Sequence, residues 1–294
     1  MEVRVMSRDL INLVQSKMSD FSKGQRLIGQ YIIDHYDKAA FMTASKLGTT
    51  VGVSESTVVR FASEIGYDGY PQLQRALQEM IRNRLTSVQR MEVTNDQMGT
   101  TDILSKVLNM DVEKIRRTLE ETSHEEFNGA VDDIIAAKTI YIMGVRSSSA
   151  LAVFLSTYFH YIFDNVVMID TSSTSELFEQ ILRIGKGDVF IAMSFPRYSQ
   201  KTVHAARYCH DRGAKVIAIT DSRLSPIAEN AHRLLLARSD MASFVDSLVA
   251  PLSIINALIV AIGLKMKDEV ADTFERLEKI WDEYNVYEKV DGRK

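Results

Sequence analysis

TASKLGTTVGVSESTVVRFASEIGYDGYPQLQRAL, running from Thr43 to Leu77, decides how the first part of this chain folds. Thr43 can cap a short helix that carries Leu47 inward and stops near Thr50. Val51-Gly52-Val53 follows as a turn in which Gly52 can take a positive φ at little steric cost. Ser54 then caps a second helix whose Val58, Phe61 and Ile65 face one way and which ends at Gly66. Two helices joined by a glycine-centred turn within about twenty residues make a helix-turn-helix, whose second helix enters the major groove of double-stranded DNA with its first residues at the base edges. Here those residues are Ser54, Glu55, Ser56, Thr57 and Arg60. Arg60 suits guanine or a phosphate and Glu55 suits cytosine, while Lys46, Arg75, Arg82 and Arg84 are available to phosphates. An ordinary helical bundle with a solvated charged face would carry the same pattern.

Working outward, Ser22 and Gln25 have the spacing of a capping box ahead of an apolar stripe of Leu27, Ile28, Tyr31 and Ile32. The pattern stays helical to about Leu85. Residues 83–101, NRLTSVQRMEVTNDQMGTT, are polar and read as a linker. Asp102 to Thr122 turns helical again, with Ile103, Val107, Met110, Ile115 and Leu119 as a seam that could pack on either domain or on a second subunit. The period then changes. Thr139 to Gly144, Asn165 to Ile169, Asp188 to Met193, Lys215 to Ile219 and Arg233 to Leu236 are short apolar runs, mostly separated by helical stretches, as in a parallel sheet covered on both faces. The expected organisation is an all-α helix-turn-helix domain over residues 1–82, a linker and connecting helix over 83–122, and an α/β domain with a five-stranded parallel sheet flanked by helices over 123–294.

Composition agrees with this division. The 294 residues, 46% hydrophobic and 25% charged, suffice for about two globular domains, and the single cysteine, Cys209, excludes an intramolecular disulfide framework. MEVRVMSRDL lacks the long apolar core of a secretory signal. Phe244 to Leu264 is almost free of charge, but Asp246, Pro251 and Asn256 favour a buried helix over a membrane span. A cytoplasmic protein without a membrane partner is expected. The net charge of −4 conceals a split: the first 90 residues hold 12 Lys+Arg and 9 Asp+Glu, which leaves 23 and 30 for the remainder. A basic amino-terminal module can face a polyanion while the acidic part does something else.

In the second half the hydroxyls cluster just past the strands. Arg146-Ser147-Ser148-Ser149 follows the first, Thr171-Ser172-Ser173-Thr174-Ser175 the second, and Ser194, Ser199 and Thr202 the third. Ligands of open parallel sheets bind beyond the carboxyl ends of the strands, where helix amino termini favour anions. Each cluster alone also reads as a helix cap; three on one edge favour a shared pocket. Acid/base candidates near these loops are limited to Glu176, Glu179 and His204, which solvated helix positions explain equally well. His204 and His210 beside Cys209 lack zinc spacing, and no Walker loop or G-x-G-x-x-G run is present. No catalytic residue, metal ligand or cofactor is therefore assigned.

The V-S-x-x-T-V-x-R-F run from Val53 to Phe61 and Gly66-Tyr67-Asp68-Gly69-Tyr70 after it resemble the helix-turn-helix of the RpiR family of bacterial transcriptional regulators. The carboxy-terminal part resembles the sugar isomerase (SIS) domain with which that family senses sugar phosphates. The resemblance spans nearly the whole chain. It implies a regulator, not an enzyme: a homodimer or homotetramer on a DNA operator, nucleoid-associated when bound, with affinity set by a phosphorylated or acidic sugar effector. Two helix-turn-helix modules of a dimer read half-sites about 34 Å apart or a multiple of it. The alternative is an aldose–ketose phosphate isomerase with an accessory helical domain, which needs a placed base that the loops do not obviously supply.

Where the first SIS loop usually reads G-x-G-x-S, this chain has Gly144-Val145-Arg146-Ser147-Ser148. Where the third reads S-x-S-G-x-T/S, it has Ser194-Phe195-Pro196-Arg197-Tyr198-Ser199. Ser148, Ser194 and Ser199 keep the ligand role that the resemblance implies, with Arg146, Ser147, Ser149, Thr171, Ser172, Arg197 and Thr202 completing the expected set. Two glycines have become arginines. Either their guanidinium groups meet a more highly charged ligand, such as a sugar bisphosphate or an acidic sugar phosphate, or they turn outward or pair with Asp170 or Glu176 and block the site.

Overall fold

The computed structural model describes residues 3–81, 86–98, 101–171, 173–240 and 243–288. The chain divides into two compact units, Met1–Met110 with Asp240–Ser247, and Asp111–Ser239 with Leu248–Lys294.

The first unit is built from helices α1 (Val3–Ser16), α2 (Lys23–Asp34), α3 (Tyr36–Ala39), α4 (Ala44–Val51), α5 (Glu55–Glu64), α6 (Tyr70–Ile81) and α7 (Ser87–Met98), and it ends inside α8 (Ile103–Glu121). Ser22 and Gln25 form the capping box, each side chain accepting from the other's backbone N–H. Thr43 caps α4 by accepting from Lys46 N at 3.2 Å, and Ser54 caps α5 by accepting from Thr57 N at 3.3 Å. Between them Gly52 stands at φ 76°, in the left-handed conformation that the turn requires. Gly48 is equally constrained, because a Cβ there would lie 2.8 Å from the Val53 carbonyl oxygen. Leu47, Val58 and Phe61 are fully buried, and the Phe61 ring tilts against Phe21 at 5.1 Å between centroids.

The polar stretch read as a linker contains α7. Thr86 and Gln89 box its start, Thr86 N donating to Gln89 Oε1 at 2.9 Å and Gln89 N to Thr86 Oγ1 at 3.3 Å. Arg90 on this helix is 2% exposed and donates to Asp246 at 2.7 Å. A partner 156 residues away is invisible to local composition, so polarity was the wrong guide here. The same contact explains a second difference. The apolar helix expected over 244–264 starts only at Val249, because Asp246 belongs to a segment that joins the first unit.

In the second unit, α8 continues from Asp111 and is followed by α9 (His124–Ile135), β1 (Ile140–Gly144), α10 (Ser147–Phe159), β2 (Val166–Ile169), α11 (Thr174–Gln180), β3 (Val189–Met193), α12 (Gln200–Asp211), β4 (Lys215–Thr220), β5 (Arg233–Leu236), α13 (Val249–Lys265) and α14 (Lys267–Glu283). All five expected strands form, each within about a residue of its expected bounds. They make one parallel sheet in the order β2-β1-β3-β4-β5. Side chains alternate between two cores: Ile140, Ile142, Ile191 and Ile217 pack with α9, α10 and α13, while Tyr141, Phe190, Val216 and Ala218 pack with α11 and α12. Helix α13 buries Ile254, Ile255, Leu258 and Ile262 in the first of these. Among the described residues no single helix is long and apolar enough to cross a membrane; α13 and α14 reach that hydropathy only as a pair bent by 98°.

Helix α8 differs from its expected seam. Val107 and Met110 are half-buried, but Lys114 and Thr118 fill the buried positions of the next turns, and Ile115 and Leu119 lie on the exposed face.

At the amino-terminal edge of the sheet, buried Asp133 on α9 accepts from Lys215 and Arg233, the first residues of β4 and β5. Burial pushes its carboxyl up, and the two hydrogen bonds and positive charges more than offset this, so it titrates below the ordinary carboxylate value. A depressed folded-state pKa gives stability that is present above the unfolded value and lost as pH falls through the folded one. Asp133→Asn should therefore cost about 1–2 kcal/mol at neutral pH, discounted for the half-exposed Lys215. The gap from the parent protein, followed by calorimetric unfolding, should narrow as pH drops below about 4; a gap independent of pH would contradict this.

Candidate functional site

Two surfaces carry the residues singled out in the sequence. On the first unit, α5 presents Glu55, Ser56 and Arg60 as exposed side chains, with Ser54 exposed at its cap, Thr57 half-buried and Lys46 exposed on α4. The hydroxyls of Ser54, Ser56 and Thr57 form one cluster, Ser54 Oγ lying 2.9 Å from Ser56 Oγ and 2.8 Å from Thr57 Oγ1. Arg60 Nε donates to the Ser56 carbonyl at 3.3 Å, which lays the arginine along the helix toward that cluster. Arg75 is exposed on α6; Arg82 and Arg84 lie outside the described residues. Hydroxyls at a helix amino terminus with an arginine one turn on form a donor-rich surface suited to phosphates and base edges.

The second surface is the carboxyl edge of the sheet. β1 and β3 are neighbours, Gly144 pairing with Met193, yet the chain leaves β1 for β2 on one side and β3 for β4 on the other. Their following helices thus go to opposite faces, the topology at which open parallel sheets place a ligand crevice. Arg146 stands two residues beyond β1 at φ 59°, ψ −126°, and Arg197 four beyond β3 at φ 64°. These are the left-handed conformations of glycine, adopted by arginines at a cost of about 1–2 kcal/mol each. Both side chains are exposed. The loops keep a glycine backbone path while presenting guanidinium groups.

Hydroxyls line the same edge to different degrees. Ser148 is buried on the first turn of α10, and its carbonyl oxygen would lie 2.2 Å from a Cβ on Gly144, so strand and helix meet only because residue 144 has none. Ser194 is pinned from both sides, its N–H donating to Ile219 O at 3.1 Å and its carbonyl accepting from the Thr220 hydroxyl at 2.6 Å. Its own Oγ is buried without a hydrogen-bond partner among the described residues, as is Thr202 Oγ1 on the first turn of α12. A buried unmatched hydroxyl costs about 1–3 kcal/mol, which directs attention to what it is positioned to meet. Ser199 stands at the N-cap of α12 without bonding the helix through its side chain.

The remaining expected positions serve the loops themselves. Ser149 donates to the Arg146 carbonyl at 2.6 Å and Ser147 is exposed. Thr171 bonds the Glu176 carboxylate and accepts from Ser173 N at 3.0 Å, Ser173 caps α11, and Ser172 lies outside the described residues. Sequence reading missed Asp221, 1% exposed directly after β4, whose Oδ1 accepts from Tyr198 OH at 2.9 Å. It also missed Ser225 and Ser239, buried on the chain beyond β4 and β5. The available signal was their place past the apolar strands, Asp221 one residue and Ser225 five beyond β4 and Ser239 three beyond β5. Cys209 lies on the buried face of α12, in the core, where burial pushes its thiol up to about 12.

Comparison with known proteins covers both surfaces. Residues 8–84 match the helix-turn-helix domain of the rpiR family, and residues 133–261 match the SIS domain. The HTH-type transcriptional regulator HexR of Escherichia coli (strain K12) is 23% identical over 92% of this chain and 93% of its own length. HexR of Pseudomonas aeruginosa is 22% identical over 75% of this chain and 76% of its own. Among solved structures, the Vibrio vulnificus NanR protein complexed with ManNAc-6P has the same fold, with a TM-score of 0.57 at 24% identity over 92% of this chain and 98% of that one. The sugar isomerase domain of an RpiR transcription factor from Sphaerobacter thermophilus gives a TM-score of 0.57 at 26% identity, over 60% of this chain and 97% of that one.

Proposed function

Since the chain belongs to the RpiR family of helix-turn-helix transcriptional regulators with a SIS domain, we propose that it binds a phosphorylated or acidic sugar at the carboxyl edge of its sheet and that this ligand sets its affinity for an operator. Lys46, Ser54, Glu55, Ser56, Thr57 and Arg60 are the DNA-reading residues in this proposal. The observation that carries the effector site is the pair of buried hydroxyls past β3, Ser194 Oγ and Thr202 Oγ1, which have no hydrogen-bond partner among the described residues. Ser148 and Ser199 complete the neutral donors, and the amino termini of α10 and α12 add partial positive charge. Arg146 and Arg197 supply full charges from the two loops that flank the crevice, which favours a ligand with more than one anionic group. That NanR was solved with ManNAc-6P supports a sugar phosphate as the ligand class.

A thermal-shift panel of sugar phosphates, sugar bisphosphates and acidic sugars tests this directly, because a ligand at a hundredfold its Kd stabilises by about 2.7 kcal/mol. Each hit then enters a DNA-binding assay with the region upstream of the chain's own operon. Replacing both arginines by glycine separates their two effects. The free double variant should unfold at a higher temperature, since about 1–2 kcal/mol of backbone strain is relieved at each position, while its affinity for a doubly anionic hit falls at least tenfold by calorimetry. Unchanged affinity would remove the arginines from the site. A panel without hits, or a hit that leaves DNA affinity unaltered, would remove the regulatory reading.

A further inference from the structure

Val59 is an apolar side chain on the polar face of α5. It is 40% exposed, whereas Val58, Phe61 and Ala62 beside it are fully buried in the core of the first unit. Those three fix the roll of the helix, and Lys17 Nζ, donating to the Glu64 carbonyl at 2.7 Å, holds its far end. With about 100° between successive residues, Ser56, Val59, Arg60 and Ser63 then share the outward face at spacings of three and four.

The polar groups around it are turned back onto the helix. Ser56 Oγ lies 2.9 Å from Ser54 Oγ, Arg60 Nε donates to the Ser56 carbonyl at 3.3 Å, and Ser63 Oγ donates to the Val59 carbonyl at 3.4 Å. That leaves the two valine methyl groups as an apolar spot on a surface of hydroxyls and a guanidinium. A β-branched residue is also a poorer helix former than alanine, so neither core packing nor local helix stability accounts for a valine here.

We infer that Val59 is a specificity-determining residue of the DNA-reading helix and packs against the C5-methyl group of a thymine in the major groove. The inference rests on the DNA-reading part of the proposed function and adds a base that the polar residues do not read. Thymine alone among the four bases presents a methyl group in the major groove. Adenine, guanine and cytosine place only donors and acceptors there, which a valine would cover without pairing. The surroundings of the valine select a duplex over an apolar protein surface. Arg60 and Lys46 are exposed, the hydroxyl cluster lies at the positive end of the helix, and the first 90 residues carry 12 Lys+Arg against 9 Asp+Glu.

The test uses the full-length protein, free and with each hit of the thermal-shift panel, to enrich duplexes from a random-sequence library. Each thymine of the enriched site is then replaced singly by deoxyuridine, which pairs identically and lacks only the C5-methyl group. At one thymine of each half-site the parent should lose about fourfold in affinity by fluorescence anisotropy, as expected for one methyl group returned to water. Val59→Ala should bind the thymine and uracil duplexes equally. Its circular dichroism melt should match or exceed the parent's, because the side chain is exposed and alanine is the better helix former. A parent indifferent to deoxyuridine at every thymine, or a Val59→Ala protein that keeps the parent's loss, overturns the assignment and leaves DNA reading by the polar residues standing. A library that yields no enriched sequence overturns DNA reading itself, and the assignment with it.

Discussion

Gly144→Ala is expected to lower the unfolding temperature of the SIS unit by roughly 6–12 °C, the equivalent of about 3 kcal/mol in a unit of this size. The new Cβ would stand 2.2 Å from the Ser148 carbonyl oxygen and 2.7 Å from its carbonyl carbon. Both are backbone atoms in the first turn of α10, and β1 is held between β2 and β3, so no flexible side chain can yield instead. The helix must shift away from the strand. Ser148 and the Arg146 loop shift with it, so effector affinity should fall in the same variant even where the protein remains folded. Gly263→Ala is the control: it lies in α13 with nothing within 4 Å of the added methyl, and should leave the melt unchanged or raise it by the helix propensity of alanine, under about 1 kcal/mol. Calorimetric unfolding of the two variants decides the matter. Equal melts would mean that the strand–helix junction is not held as tightly as its geometry indicates.

Arg60→Ala should weaken operator binding by ten- to a hundredfold, about 1–3 kcal/mol, and relax preference at the base it faces. Its guanidinium is exposed, and its hydrogen bond to the Ser56 carbonyl is on the surface, so the fold should be indifferent to its loss. Lys46→Ala, in contrast, should weaken all DNA sequences about equally and reduce the slope of log affinity against log salt by roughly one, as a phosphate contact does. Fluorescence anisotropy on operator and scrambled duplexes at several salt concentrations distinguishes the two. An Arg60→Ala protein whose preference is unchanged at every base of the operator would remove Arg60 from base reading and leave it to the other α5 residues. Ser54→Ala is less informative, because it also removes the cap of α5 and costs about 1 kcal/mol of helix stability.

Much of this architecture was legible in the chain because it rests on local rules. The caps at Thr43 and Ser54 and the left-handed glycine between them require only neighbours three or four residues away. The five strands announce themselves as short apolar runs because both faces of a parallel sheet are covered, and the charged residues among them, Lys215 and Arg233, stand at the strand starts. The hydroxyl loops were readable for a related reason: where an apolar run stops at the carboxyl end of a strand, polar residues begin.

The rest required contacts across the chain. Thr171 and Ser194 look alike in sequence, but Thr171 is bound to Glu176 while Ser194 is pinned by β4 with its hydroxyl left over. Asp221 is one acidic residue among 39 until burial beside Tyr198 distinguishes it.

Sequence alone determined the helix-turn-helix, the parallel sheet, the family and the two arginines at glycine positions, since each depends on residue type and on spacing over one or two turns. Tertiary structure alone decided that those arginines hold a glycine backbone, that Arg90 in a polar stretch is buried against Asp246, and which face of α8 is buried. These outcomes follow from which polar group finds a partner far along the chain, and a hydrogen bond or ion pair between distant residues leaves no periodic mark on either.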